Sequence, residues 1–165
     1  MKIAILSDIH DNIWKLSAAT KAVLAAGAEH LIFCGDFCAP FTLKQLADET
    51  KLPIDAVWGN NDGDKWLLTK LAAAAGNVTL HGELAELTLD GLRIGVNHYP
   101  EIALRLAQSG AYAAVFYGHN HIARTEQIGD CLLLNPGEIM GRFGKSTFAL
   151  FDTEARGAVL VEVDS

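Results

Sequence analysis

The chain predicts an α/β fold in four layers, an αββα sandwich of two mixed β-sheets flanked by helices. Three observations carry this reading. The first half alternates strand-length apolar runs with segments of helical spacing, in the order β-α-β-α-β-α, which implies a parallel sheet with right-handed crossovers. The second half is rich in short strands separated by turn residues. The 165 residues, 50% hydrophobic and 20% charged, fit one globular domain without an internal repeat or a linker.

Lys2 to Leu6 is a near-continuous apolar run, the mark of a strand buried on both faces. Ile13, Leu16, Ala19, Ala22, Val23 and Ala26 then recur at helical spacing, and Gly27 stands where that helix should stop. Leu31 to Cys34 is a second buried strand. Phe41 to Asp48 follows as a helix with Leu43, Leu46 and Ala47 on its apolar face. Beyond Pro53, Ile54 to Trp58 makes a third strand, and Asp64 to Ala75 a helix closed by Gly76-Asn77. Val78 to Leu80, Leu84 to Leu89 and Leu92 to Val96 are short strands, the last two joined by the hairpin signal Asp90-Gly91. Pro100 to Gln108 opens with a proline and Glu101 in its first turn, both favourable to a helix start. Ala113 to Tyr117, Ile122 to Ile128, Cys131 to Leu134, Thr147 to Phe151 and Ala158 to Val163 complete the strands.

No apolar run reaches the roughly 18 to 20 residues of a membrane helix. Met1 to Leu6 is too short for a signal peptide, whose apolar stretch needs about 7 to 15 residues. A cytoplasmic protein is expected. The three cysteines are an odd count without framework spacing; Cys34 reads as a buried reduced thiol, and Cys38 as packing rather than a metal ligand. A net charge of -7 argues against extended nucleic acid as a partner, which needs a basic surface, and against no small anion drawn to a locally cationic site. Trp14 and Trp66 fit either the core or the face of a homo-oligomer.

Five short clusters each follow an expected strand: Asp8-Ile9-His10, Gly35-Asp36, Gly59-Asn60-Asn61-Asp62, Asn97-His98 and Gly118-His119-Asn120-His121. In open α/β sheets, sites form beyond the carboxyl ends of the strands. On extended chain, residues two apart point the same way, so Asp8 with His10, and His119 with His121, would each aim two groups at one place. Taken singly, each cluster has an ordinary alternative. Asp-x-His is also a cap beside a surface histidine, Gly-Asp is a turn, and residues 60 to 62 are good turn and N-cap chemistry. The ordinary readings leave unexplained why four of the six histidines follow apolar runs in these clusters. His30 and His81 are left over and read as surface or turn residues.

The ordered set D-x-H, G-D, G-N-x-D, H, G-H-x-H resembles the calcineurin-like metallophosphoesterase family, its small single-domain prokaryotic phosphodiesterases in particular. The resemblance runs from Asp8 to Asn135-Pro136-Gly137. It implies that Asp8, His10, Asp36 and His121 hold one metal, and that Asp36 bridges to a second held by Asn60, His98 and His119. Imidazole and carboxylate suit Mn, Fe, Zn, Ni or Co. A pair of such ions clamps both oxygens of an in-line displacement and acidifies a bound water. With the ligand carboxylates and a hydroxide counted, the site stays net positive, as a phosphate-ester substrate requires.

Four positions depart from that family, among them Glu138, which follows Asn135-Pro136-Gly137 where a small residue is common. Asp11 replaces the usual glycine after the first histidine; it tolerates a left-handed backbone, or caps the next helix. Asn61 stands where relatives that act on monoesters or nucleic acid often carry histidine, and an amide is no general acid. Tyr99 replaces a glycine beside His98. Asn61 and Arg142, the latter in the basic stretch Gly141-Arg142-Phe143-Gly144-Lys145, are the candidate catalytic residues facing substrate. The expected function is hydrolysis of phosphodiesters; a phosphomonoesterase and a non-catalytic scaffold, as in the retromer small subunit, are the alternatives.

Overall fold

Strand alternation sets the layers. The computed structural model describes residues 1–163. Its elements run β1 (Lys2–Leu6), α1 (Ile13–Ala25), β2 (His30–Phe33), α2 (Pro40–Thr50), β3 (Ile54–Ala56), α3 (Lys65–Ala75) and β4 (Val78–Leu80). They continue with β5 (Leu84–Leu89), β6 (Leu92–Asn97), α4 (Pro100–Gln108), β7 (Ala114–Phe116), β8 (Arg124–Ile128), β9 (Cys131–Asn135), β10 (Thr147–Asp152) and β11 (Gly157–Glu162). On β1, Ile3 and Ile5 face the second sheet, while Ala4 and Leu6 face the helices. A strand with apolar residues at every position is therefore what a doubly covered sheet needs.

The first sheet has the order β11-β10-β1-β2-β3-β4, parallel from β1 to β4 and antiparallel at β10 and β11. The second has the order β5-β6-β7-β9-β8, parallel only across β6, β7 and β9. Both sheets are mixed, as expected. α1, α2 and α3 bury Leu16, Val23, Leu43, Leu46 and Leu68 on the outer face of the first sheet. α4 buries Ala103 and Ala107 against Val115, Tyr117 and Leu133 of the second. Between the sheets, Ile32, Cys34 and Val57 meet Ile94, Val96, Phe116 and Leu134. The order is helix, sheet, sheet, helix.

Local chemistry fixes the helix starts. Asn12, not Asp11, caps α1, its Oδ1 accepting the Lys15 N–H at 3.2 Å. Asp11 instead accepts the Ala39 N–H at 2.8 Å and ties the loop before α1 to the start of α2. Asp64 caps α3 through the Leu67 N–H. β8 begins at Arg124 rather than Ile122, because the turn begun at Gly118 keeps Ile122 out of the sheet and 63% exposed. Trp14 and Trp66 are surface residues, 79% and 67% exposed.

His30 and His81 are not free surface residues. Both donate to Asp55 on β3, His30 Nε2 at 2.8 Å and His81 Nε2 at 2.6 Å, stitching β2, β3 and the end of β4 together. Burial works against the Asp55 charge, but the two imidazoles outweigh it and hold the carboxyl below the usual range. The stabilisation is complete above the unfolded-state carboxylate pKa, about 3.9. It disappears as pH falls through the lower folded-state value. Asp55→Asn is expected to lose about 1–3 kcal/mol, since one amide oxygen replaces two carboxylate acceptors. Urea unfolding should show that gap near neutrality and its closure on acidification; a gap that widened toward low pH would contradict the assignment.

Candidate metal centre

All five clusters emerge where the parallel strands end, and backbone hydrogen bonds tie four of them together in two pairs. The Asp8 N–H donates to the Gly35 carbonyl at 3.0 Å, and the Ile9 and His10 N–H groups share the Asp36 carbonyl at 3.1 and 3.2 Å. The Gly118 N–H donates to the His98 carbonyl at 3.1 Å, joining the two clusters of the second sheet. Glycine is required at the contact points. A Cβ on Gly59 would stand 2.1 Å from Asp36 Oδ1, and one on Gly118 would stand 2.0 Å from Ser7 Oγ and 2.6 Å from Asp8 Oδ2.

The extended-chain argument for paired ligands does not hold. Asp8, His10, Asp36, His119 and His121 are all left-handed, with φ of +56°, +43°, +64°, +73° and +60°. Each side chain is aimed by a tight turn rather than by strand pleating. Asp11 is left-handed too, at +60°, so the turn that relatives make with glycine survives here. Such backbone is uncommon outside glycine and concentrates where structure is subordinate to a site.

The turns bring all seven expected ligands together. Asp8 Oδ1 lies 3.5 Å from both His10 Nε2 and His121 Nε2. Asp36 Oδ2 lies 3.4 Å from His10 Nε2 and 3.4 Å from His98 Nε2. Asn60 Oδ1 lies 3.0 Å from His98 Nε2 and 2.8 Å from His119 Nδ1. Asp8, His10 and His121 form one group with ligand atoms within 4.8 Å of one another, and Asp8, Asp36 and His98 form a second. The two adjacent groups share Asp8.

These residues fit a divalent cation. Asp8 Oδ1 and His10 Nε2 are buried without a hydrogen-bond partner, a state native structures avoid unless an ion or a water is to be bound. His98, fully buried, has Nδ1 at 2.7 Å from the Cys34 carbonyl; that nitrogen donates, so in the neutral ring it is Nε2 that carries the lone pair. That lone pair faces a carboxylate oxygen and an amide oxygen, so three acceptors converge. The electrostatics repeat the point. The Asp8 carboxylate, 3.5 Å from Nε2, and then the Cys38 thiol, 3.4 Å from Nδ1, raise the His10 pKa to about 10. Burial opposes the charge of Asp36, but His98 and then Asn61 outweigh it and lower the pKa to about 2.

The profile of the calcineurin-like phosphoesterase superfamily domain matches residues 1–156. The chain belongs to this family. It is 32% identical, over 159 residues, to a phosphodiesterase of Methanocaldococcus jannaschii, covering 94% of this chain and 95% of that one. Among solved structures, a novel archaeal phosphodiesterase superposes with a TM-score of 0.90 at 30% identity, over 98% of this chain and 99% of that one. A phosphoesterase of E. coli superposes at 0.69 with 18% identity, over 99% and 100% of the two chains. Vps29 of Entamoeba histolytica, in a mutant form, does so at 0.68 with 14%, over the same shares. The last two share the calcineurin-like fold.

Asn61 sits at the site in a supporting place: its backbone N–H and its Nδ2 donate to the two oxygens of Asp36, each at 2.8 Å. Arg142 is exposed at the rim, its guanidinium 5.4 Å from the Phe143 ring, which stands edge-on to His121 at 5.2 Å. Lys145 is paired with Glu162 at 2.6 Å, away from the ligands. Tyr99, half-buried, lies 5.3 Å from both His98 and His119. Two further carboxylates, neither of them an expected site residue, support the cluster. Buried Asp62 accepts the N–H groups of Gly59 at 2.7 Å, Cys38 at 2.9 Å and Asp36 at 3.2 Å, holding two loops in register. Its burial and the nearby Asp36 charge push its pKa up against those donors. Buried Glu138 accepts from His121 Nδ1 at 2.5 Å. Asp62 had a signal, the aspartate closing G-N-x-D; Glu138 had only its oddity as a charge in an otherwise apolar and turn-forming run.

Gly59→Ala is expected to displace Asp36 and to destabilise the fold by about 1–3 kcal/mol, as overpacking does. Mn titration by calorimetry should show affinity at least about tenfold weaker, by the usual reach of ligand-support changes. Unchanged affinity would mean that the contact between these loops does not hold the ligands.

Proposed function

We propose that this calcineurin-like protein is a cytoplasmic, dinuclear-metal phosphodiesterase acting on small phosphate esters. The observation that carries the proposal is the convergence of Asp8, His10, Asp36, Asn60, His98, His119 and His121 with buried acceptor atoms left unpartnered. The similarity to two archaeal proteins described as phosphodiesterases supports it. Asp8, His10, Asp36 and His121 would hold one divalent ion; Asp36, Asn60, His98 and His119 would hold the other, with Mn, Fe, Zn, Ni or Co suited to the donors. When bound, the pair supplies Lewis acidity toward a phosphoryl oxygen and toward water.

The chain's own residues do the rest. Asn61 holds Asp36 with both oxygens committed to fixed donors, which keeps the bridging carboxylate ionised and oriented. The Cys34 carbonyl fixes the His98 tautomer. Arg142 stands free of the ligand cage at its edge, placed to pair with an incoming phosphate. No histidine occupies position 61, so leaving-group protonation falls to water or another residue, or is not needed. Esters whose leaving group departs as a stable anion are favoured, and aryl diesters above alkyl ones. The free thiols of Cys34, Cys38 and Cys131 suit a reducing compartment, and no helix among the described residues is long and apolar enough to cross a membrane.

After chelation, reloading with Mn or Ni should restore hydrolysis of a bis-aryl phosphate faster than of a mono-aryl phosphate. Faster monoester turnover would overturn the diester preference. Fewer than two ions at saturation with no hydrolysis would favour a scaffold. Asp36→Asn should lose nearly all turnover, and His119→Ala should release one ion more readily than the other; wild-type turnover in the first variant would end the bridging assignment.

A further inference from the structure

Glu138 is only 1% exposed, and no part of the proposed chemistry uses it. Its neighbours along the chain fasten it to the first sheet: the Ile139 N–H donates to the Ser7 carbonyl and the Met140 N–H to the Asp8 carbonyl, each at 3.0 Å. Its two oxygens have separate tasks. Oε2 takes the Nδ1 proton of His121 at 2.5 Å, which leaves Nε2 as the lone pair facing Asp8. Oε1 accepts the backbone N–H groups of Phe143 at 2.6 Å and Gly144 at 3.0 Å. A buried carboxylate must be hydrogen-bonded to remain charged there. Two of its three donors come from the exposed loop that carries Arg142 and Phe143.

We propose that Glu138 is a positioning residue that couples one half of the metal centre to the Gly141–Gly144 loop. The inference rests on the dinuclear reading above. A carboxylate behind a ligating histidine fixes the ring and strengthens it as a donor. Opening the loop strips Glu138 of two donors and loosens His121. Binding of a cation at His121 in turn strengthens the Nδ1–H bond to Glu138 and holds the loop closed. Linkage makes the two effects equal. The consequence is that Arg142 and Phe143 are presented to substrate only when the adjacent half-site is filled.

Calorimetric titration of metal-free protein with Mn tests it. Wild type should take up two ions, and Glu138→Gln should weaken one of them by about 10–100-fold while leaving the other unchanged. A general structural role would weaken both. Trypsin gives a readout independent of turnover, since Arg142 and Lys145 are its targets in the loop. Mn should slow cleavage after Arg142 in wild type and have no effect in Glu138→Gln. Gly144→Pro removes one donor to Glu138 and leaves the buried carboxylate in place, and should weaken the same ion by a smaller factor. Equal affinities for both ions in wild type and Glu138→Gln would overturn the proposal. Should that variant fail to fold, unchanged affinity in Gly144→Pro would overturn it. A wild type that binds fewer than two ions sinks the dinuclear reading itself, and this inference with it.

Discussion

The convergence of electron-pair acceptors in one buried crevice is the constraint on which this structure turns. Two carboxylates, an amide oxygen and imidazole nitrogens approach within 2.8 to 3.5 Å of one another, with Asp8 and Asp36 almost wholly buried. At such distances like groups repel strongly in a low-dielectric surrounding, and only the N–H donors of Asn61 and His119 and the imidazoles themselves offset them. The rise of His10 and the fall of Asp36 follow from that compensation. A site that must recruit protons to be tolerable is one that divalent cations stabilise.

Repulsion of this kind has to be resisted by something rigid, and the resistance is built in backbone. Left-handed turns at five of the seven expected ligands each cost on the order of 1 kcal/mol or more for a residue with a Cβ. They persist because interstrand bonds, the glycine contacts at positions 59 and 118, and the struts Asp62 and Glu138 leave the loops no alternative. The layers behind them, from Phe33 and Leu46 on the helix side to Ile94 and Phe116 between the sheets, supply the apolar burial that offsets the strain.

The sequence made the layers and the ligands legible for one reason each. Period-two and period-3.6 patterns locate strands and helices, so β1, β4, β5 and α4 match their expected bounds to the residue. Residue chemistry locates metal ligands, because histidine and aspartate after apolar runs have few competing explanations. Conformation at single positions has no such signature. Asp8 and His10 were expected to share a side by pleating, yet they do so by consecutive turns. His30 and His81 passed for surface residues because their partner, Asp55, is 25 and 26 positions away and reads as an ordinary strand residue. Asp62 reaches backbone N–H groups of the Asp36–Cys38 loop and Glu138 reaches the His121 ring, contacts that exist only after folding.

Asn61 shows how a departure from a family pattern alters function through geometry rather than absence. A histidine at this place could shuttle a proton. The asparagine, by contrast, turns its amide inward and joins its own backbone N–H in gripping Asp36. The grip favours a fixed, fully ionised carboxylate and commits the side-chain amide to it. Proton delivery is thereby exchanged for ligand rigidity. A reaction whose leaving group needs no proton loses nothing by that exchange, while an alkyl ester loses its acid catalyst. The proposed diester preference thus rests on the residue at position 61, which the ligand set alone does not reveal.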